Sequence, residues 1–222
     1  MTTLAIDRAT DLSGVAIESD GAISSAVLEG IDARSGAWAL KVRDFLSSAG
    51  LSFGSIDRFL VGLGPGSFAG TRSALAFVQG LAIPLGKPVF GLPSPVSMAG
   101  GEGKVTIVGD ARRRLFWTVT YEGFKEVSPL RLVDEEGLAA VAPEGIVRTP
   151  DGSRIAPVLS RIFSNRFEWR EEPLPGFNAP SAAILAKAAL EEPGALVEDP
   201  LPVYLSPAVR GPETAQGPEG CK

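Results

Sequence analysis

The chain has 222 residues, of which 45% are hydrophobic and 21% charged, with a formal net charge of −5; this is the composition of a globular protein of one large domain or two ordinary lobes. It has no histidine and a single cysteine, Cys221, which excludes Ser-His-Asp triads, Cys-His dyads, His- or Cys-based metal sites and an internal disulfide framework. The acidic balance gives no long-range pull on phosphate backbones, and with no signal-like N-terminus and no 18-residue apolar run, a cytoplasmic protein without a membrane span is expected.

In chain order, "TLAIDRATDLSGVAIESDG" predicts an apolar strand Leu4–Ile6 ending at Asp7, a polar turn, a strand Val15–Ile17, the Asp20-Gly21 turn and a third strand Ala26–Leu28. Ser35 is placed to cap a helix through Ala49, with Trp38, Val42, Phe45, Leu46 and Ala49 on one face. "IDRFLVGLG" reads as a strand running into a glycine loop, followed by a helix Gly70–Ile83 stopped by Pro84. "KPVFGLPS" supplies another strand, and residues 92–103 look like a seam between lobes.

The second half begins as the first does. "KVTIVGDARRRLFWTVTYEG" predicts a strand Val105–Val108, Asp110, a basic turn, a strand Leu115–Tyr121 and a turn at Glu122-Gly123. A helix Asp134–Ala142, short strands near Ile146 and at Ile155–Leu159, and a helix Ser181–Glu191 follow. The expected division is one lobe at 1–100, a second at 101–205, and a disordered Pro/Gly/Glu-rich tail at 206–222.

The glycine loop poses the main functional question. Gly64-Pro-Gly-Ser-Phe-Ala69 matches G-x-G-x-x-[GA] between a strand and a helix, the context a dinucleotide site needs. Such a site also wants an acid some 20 positions on, yet no Asp or Glu lies between Arg58 and Gly101. A phosphate-binding P-loop fails too, because no Gly-Lys-[Ser/Thr] follows and Pro65 removes a backbone N–H. Gly64, Gly66 and Ser67 therefore read as a tight turn that needs glycines for close packing. In the helix that follows, Ser73, Ala76 and Gly80 form a small-residue stripe. From Gly62 to Gly101 the charged residues are Arg72 and Lys87 alone. A deeply buried core helix and an interface helix both fit that pattern.

"LAIDRATDLSGVAI", "GLGPGSFAGTRSALAFVQGLA", "GDARRRLFW" and the late "PVYLS" together resemble the bacterial TsaB (YeaZ) family, the non-catalytic partner in making N6-threonylcarbamoyladenosine in tRNA. The resemblance spans most of residues 1–205. It implies an α/β, actin-like (ribonuclease H-like) fold of two lobes, each a βββ meander with flanking helices. It also implies a scaffold for the metal-bearing TsaD subunit, joined by the ATPase TsaE, with tRNA met only indirectly. This histidine-free chain cannot be the TsaD-type subunit itself, which needs an HxxxH motif. Self-association and TsaD binding would share the N-lobe helices, with Trp38, Val42, Phe45, Gly70, Arg72, Ser73, Ala76, Phe77 and Gly80 as contacts. No tightly bound cofactor is implied, and ATP or ADP has a place only at the partner interface. The chain departs from the family at Arg8, where the first turn ordinarily reads Asp-Thr, and at Arg34-Ser35, where the family carries a histidine.

Asp7 and Asp110 occupy the strand ends where catalytic members of the fold hold a metal–nucleotide. Here "DRAT" and "DARR" lack the glycine that admits a phosphate, and a carboxylate capping its own turn is the reading preferred. Arg112, Arg113 and Arg114 form a cationic patch best explained as a solvated hairpin turn. The rival class is an ATP-dependent phosphotransferase of the same fold.

Overall fold

The computed structural model describes residues 1–10, 13–28, 36–101, 103–141, 146–163 and 181–205. The first sheet begins with a meander, β1 (Thr2–Asp7), β2 (Gly14–Ser19) and β3 (Ala22–Val27), paired antiparallel in register. Helix α1 (Ala37–Ser48) then leads to β4 (Arg58–Gly62), parallel to β1, and α2 (Phe68–Leu85) leads to β5 (Val89–Leu92), parallel to β4. After the short α3 (Val96–Ala99), the second sheet repeats the scheme: β6 (Lys104–Arg112), β7 (Leu115–Glu122) and β8 (Lys125–Val133) form a meander, then α4 (Glu135–Ala140) leads to β9 (Ile146–Arg148), parallel to β6. Helices α5 (Gly152–Phe163) and α6 (Ser181–Glu191) and the two-residue β10 (Val197–Glu198) complete the order.

Both sheets thus carry the same βββαβ unit, with the meander's first strand in the interior and the later strand parallel to it. That is the actin-like arrangement. The recurrence of an apolar strand ending in Asp, at Asp7 and again at Asp110, is the sequence trace of the repeat.

Alternation along β1 and β2 divides the core. Leu4, Ile6, Val15 and Ile17 point to one side and pack under α1 and α2, while Ala5 and Ala16 point to the other. The small side chains on that second face let the alanine-rich α6 lie close against the sheet through Ala182, Ala183, Ala186 and Ala189. Trp117, Val119 and Tyr121 of the second sheet close over the same layer, so α3 and α6 lie between the two sheets. A third cluster, formed by Leu138, Ile155, Leu159 and Phe163, seals the far face of the second sheet.

Four boundaries differ from expectation. The segment 155–159 is helix rather than strand: Ile155, Leu159 and Phe163 are buried at a spacing of four, with Pro157 inside the helix. Pro84 does not stop α2, which runs to Leu85 and ends at Gly86 in the left-handed region (φ 61°). The carbonyl that Pro84 leaves without its helical partner belongs to Gly80, which is exposed, so the break falls on the solvent side of the helix. The third strand starts at Ala22, directly after the Asp20-Gly21 turn; its polar Ser24-Ser25 centre suits an exposed edge and hid it. Residues 181–198, expected in the second lobe, return to the first sheet, where α6 covers one face and β10 pairs antiparallel with β5. Ser35, expected as a cap, and the tail 206–222 fall outside the described residues.

Candidate functional site

The glycine loop is folded against the first turn of the chain. A Cβ on Gly66 would overlap the carbonyl of Ala9, and one on Gly70 the carbonyl of Arg8, so both glycines are required by backbone approaching backbone. Three N–H groups of the loop are bonded within the protein. Ser67 N–H donates to the Ala9 carbonyl at 2.7 Å, Gly64 N–H to Ser94 Oγ at 3.0 Å and Gly70 N–H to Ser67 Oγ at 3.1 Å. A phosphate cradle needs such donors turned outward; here they hold the protein together.

Asp7 is fully buried. Its Oδ1 accepts from Ala9 N–H and from Ser94 Oγ, both at 3.0 Å, and Ser94 Oγ in turn accepts from Gly64. A relay Gly64–Ser94–Asp7 therefore ties the end of β1 to the glycine loop and to the exit of β5. Asp7 caps its own turn, as preferred from the sequence. Ser94 was missed, since a serine in a Pro-rich exit carries no pattern of its own.

Between the sheets lies a cleft of about 600 Å³. One wall is Thr10, Ser67, Phe68 and Thr71; the other is Asp110, Asp151 and Arg154, with Tyr204 at the rim. Its charges are already matched. Asp110 Oδ2 lies 3.1 Å from Arg154 Nε and 3.3 Å from an Arg112 nitrogen, and Arg154 also pairs with Asp151. Asp110 N–H donates to Asp151 Oδ2 at 2.7 Å. Burial pushes the Asp151 carboxyl above its ordinary pKa, partly offset by that hydrogen bond and by Arg154. Sequence spacing could not point to Asp151 and Arg154, because their partner Asp110 is about 40 residues away. Arg112, Arg113 and Arg114 are exposed at the hairpin tip with φ of 67°, 55° and 64°. Among the described residues no cluster of three or more His, Cys, Asp or Glu side chains could hold a metal, and no helix is long and apolar enough to cross a membrane.

The outer face of α1 and α2 divides the expected interface residues. Trp38 and Val42 are 4% and 0% exposed and belong to the chain's own core, because the inward spacing 38, 42, 46 is what seats α1 on the sheet. They are not available to a partner. Gly70 is buried against Arg8, and Phe45 is half-buried against the core. Arg72, Ala76 and Gly80 are exposed, with Ser73 and Phe77 half-buried beside them and Ile83 80% exposed beyond. The small-residue stripe of α2 thus faces outward, while Ala74, Leu75, Val78 and Ala82 face the core. Phe77 is held by edge contacts with Trp38 and Phe53, at ring separations of 4.8 and 5.8 Å.

Under this face lies Arg8, 4% exposed. Its guanidinium sits 4.4 Å from the centre of the Trp38 ring and donates to Ser73 Oγ at 2.7 Å. Its Nε is buried without a partner, and burial lowers its pKa.

Comparison with known proteins places these features. The sequence model of the TsaD family, tRNA N6-adenosine threonylcarbamoyltransferase, matches residues 39–156. An uncharacterized protein of Mycobacterium tuberculosis (strain H37Rv) is 35% identical over 135 residues, covering 58% of this chain and 63% of the relative's own length. The tRNA threonylcarbamoyladenosine biosynthesis protein TsaB of Escherichia coli K12 is 34% identical over 101 residues, 46% of this chain and 44% of that protein. The solved structure of YeaZ from Pseudomonas aeruginosa superposes with a TM-score of 0.72 at 25% identity, covering 92% of this chain and 99% of that one. The match with the first curated relatives therefore spans less than two thirds of their length.

Proposed function

This chain belongs to the TsaB (YeaZ) family, and from that membership we propose that it serves the formation of N6-threonylcarbamoyladenosine in tRNA as a non-catalytic subunit. Its task in this reading is to hold and activate a TsaD-type paralogue in the cytoplasm, with a TsaE-type ATPase joining the pair and tRNA met only through the complex. The observation that carries the reading is the outward stripe Ser73–Ala76–Gly80 on α2, with Ala76 and Gly80 exposed and Ser73 half-buried, on a helix that has no acidic residue. A second helix can approach such a face closely, and almost no charge must be desolvated for it to do so. Self-association would use the same face, and any ATP or ADP would be held at that interface rather than in the cleft. The rival, an ATP-dependent phosphotransferase, is disfavoured because Asp7 is turned into the protein and Asp110 is engaged by Arg154 and Arg112.

The deciding experiment is co-purification with the TsaD-type paralogue of the same organism, followed by mass determination of the complex. A one-to-one complex that Ala76→Glu abolishes, while the free variant melts normally, supports the reading. No complex, together with magnesium-dependent ATP turnover by the chain alone, would replace it with the phosphotransferase.

A further inference from the structure

The environment of Arg8 says more about the partner than the shape of α2 does. A guanidinium carries five N–H donors and keeps its charge in proteins. Arg8 is buried between α1 and α2, yet the structure satisfies it with one hydroxyl, Ser73 Oγ, and one aromatic face, Trp38. Its Nε is buried and unpartnered, and no carboxylate lies within salt-bridge distance of it among the described residues. A buried cation with neither a counter-ion nor a full set of acceptors is costly to keep in an isolated domain.

The hydroxyl that holds Arg8 belongs to the small-residue stripe. Ser73 is half-buried there, one turn before Ala76, so the guanidinium lies directly beneath the outward face of α2. The surrounding charge has one sign along that helix. Arg72 is exposed next to Ser73, stacked 4.9 Å from the Phe68 ring, and α2 has no Asp or Glu. The acid on α1, Asp44, is already engaged by Arg43 at 2.8 Å. A second copy of this chain docked through the same helix would add further arginines to this face and offer no carboxylate from α2.

We infer that the α2 face is built for a partner helix of different sequence that inserts a carboxylate over Ser73 to pair with Arg8, with Arg72 flanking it. The inference rests on the partner reading above and adds to it the chemistry of recognition. It makes Arg8 a residue that costs the free chain stability and gives it back on assembly. Pairing with a second copy is accordingly the weaker association.

The test uses the full chain and the TsaD-type paralogue, comparing wild type with Arg8→Met and Arg8→Gln by melting of the free chain and by calorimetric titration. Met keeps the apolar stem against Trp38 and removes the charge; Gln also keeps a donor for Ser73. Both variants are expected to melt at or above wild type while the Kd rises by about 30-fold or more, the penalty for leaving a carboxylate unpaired at a buried interface. The wild-type affinity should also fall as salt is raised, and the variants' affinity should change less. If Arg8→Met does not fold, Arg8→Gln decides alone. Wild-type affinity in the variants, with Ala76→Glu still abolishing binding, would overturn the carboxylate pairing and leave the partner surface standing. No complex with the wild-type chain would overturn both. Self-association as tight as hetero-association would overturn the preference for an unlike partner.

Discussion

The carbonyl of Arg8 occupies the space that a Cβ on Gly70 would need. The first turn and the start of α2 are therefore in backbone contact, and the helix can sit where it does only because residue 70 lacks a side chain. Gly80, about 2.8 turns along the same helix, has nothing within 4 Å of its hypothetical Cβ.

These two glycines should respond oppositely to one added methyl. Gly70→Ala is expected to destabilise by about 1–3 kcal/mol, the cost of forcing atoms into a packed site. Gly80→Ala is expected to stabilise by about 0.5–1 kcal/mol, the helical advantage of alanine over glycine. Denaturant midpoints of the two variants check this directly. Equal shifts in one direction would show that the loop can give way.

Asp7→Ala is expected to lower stability by about 1–3 kcal/mol, because Ser94 Oγ–H and Ala9 N–H are left without their acceptor in a buried site. Millimolar ATP with magnesium should shift the melting temperature of neither the variant nor the parent. A melt that rises with ATP in the parent alone would instead give Asp7 a nucleotide role.

The raised pKa of Asp151 sets a pH dependence. Its folded carboxyl holds a proton more tightly than the unfolded one, so its contribution is fully present below about pH 4 and is lost as pH rises through the folded value. Asp151→Asn keeps an acceptor for Asp110 N–H without the charge. It should melt at or above wild type at pH 7, and the difference should shrink towards pH 4. Melts at both pH values decide it; a variant less stable at pH 7 would show that the pairing with Arg154 outweighs desolvation.

Arg113 holds φ at 55° in an exposed turn. The left-handed conformation costs a non-glycine residue about 1–2 kcal/mol, and glycine gives back about 0.5–1 kcal/mol through its freer unfolded chain. Arg113→Gly should therefore gain up to about 1 kcal/mol in chemical denaturation. A loss would mean that the arginine makes a contact worth more than its backbone strain.

Much of this was legible in the residues. The spacing of Trp38, Val42 and Leu46 and the strand-Asp-hairpin at Asp7 and Asp110 marked the helix and the repeat, because local periodicity and turn chemistry write directly into sequence. The acid-free window after Arg58 pointed to a structural glycine loop, and Ala9 and Arg8 supply the carbonyls that explain it. Direction was the part that could not be read. Period alone marks Trp38 and Val42 as one apolar face without saying that the chain's own sheet takes it, and it marks the stripe at Ala76 without saying that the sheet leaves it bare. The Ile155–Leu159 stretch misled for a related reason, since a short apolar run around Pro157 looks the same in a strand or a helix until its neighbours are known. Asp151 and Ser94 act through partners far along the chain, where sequence spacing carries no information.

The return of α6 to the first sheet bears on how the protein is made. Ala5 and Ala16 of β1 and β2 are covered by Ala182, Ala183, Ala186 and Ala189, which are synthesised about 170 residues after them. Until then one face of the opening meander has no cover of its own, and β5 lacks its β10 neighbour. The nascent first half is thus a sticky, unfinished object rather than a finished lobe, and elongation at roughly 5–20 residues per second leaves it so for several seconds or more. A chaperone that shields this face during translation would raise the yield of native protein, and a chain shortened before Ser181 would be a substrate for proteolysis instead of a smaller functional unit.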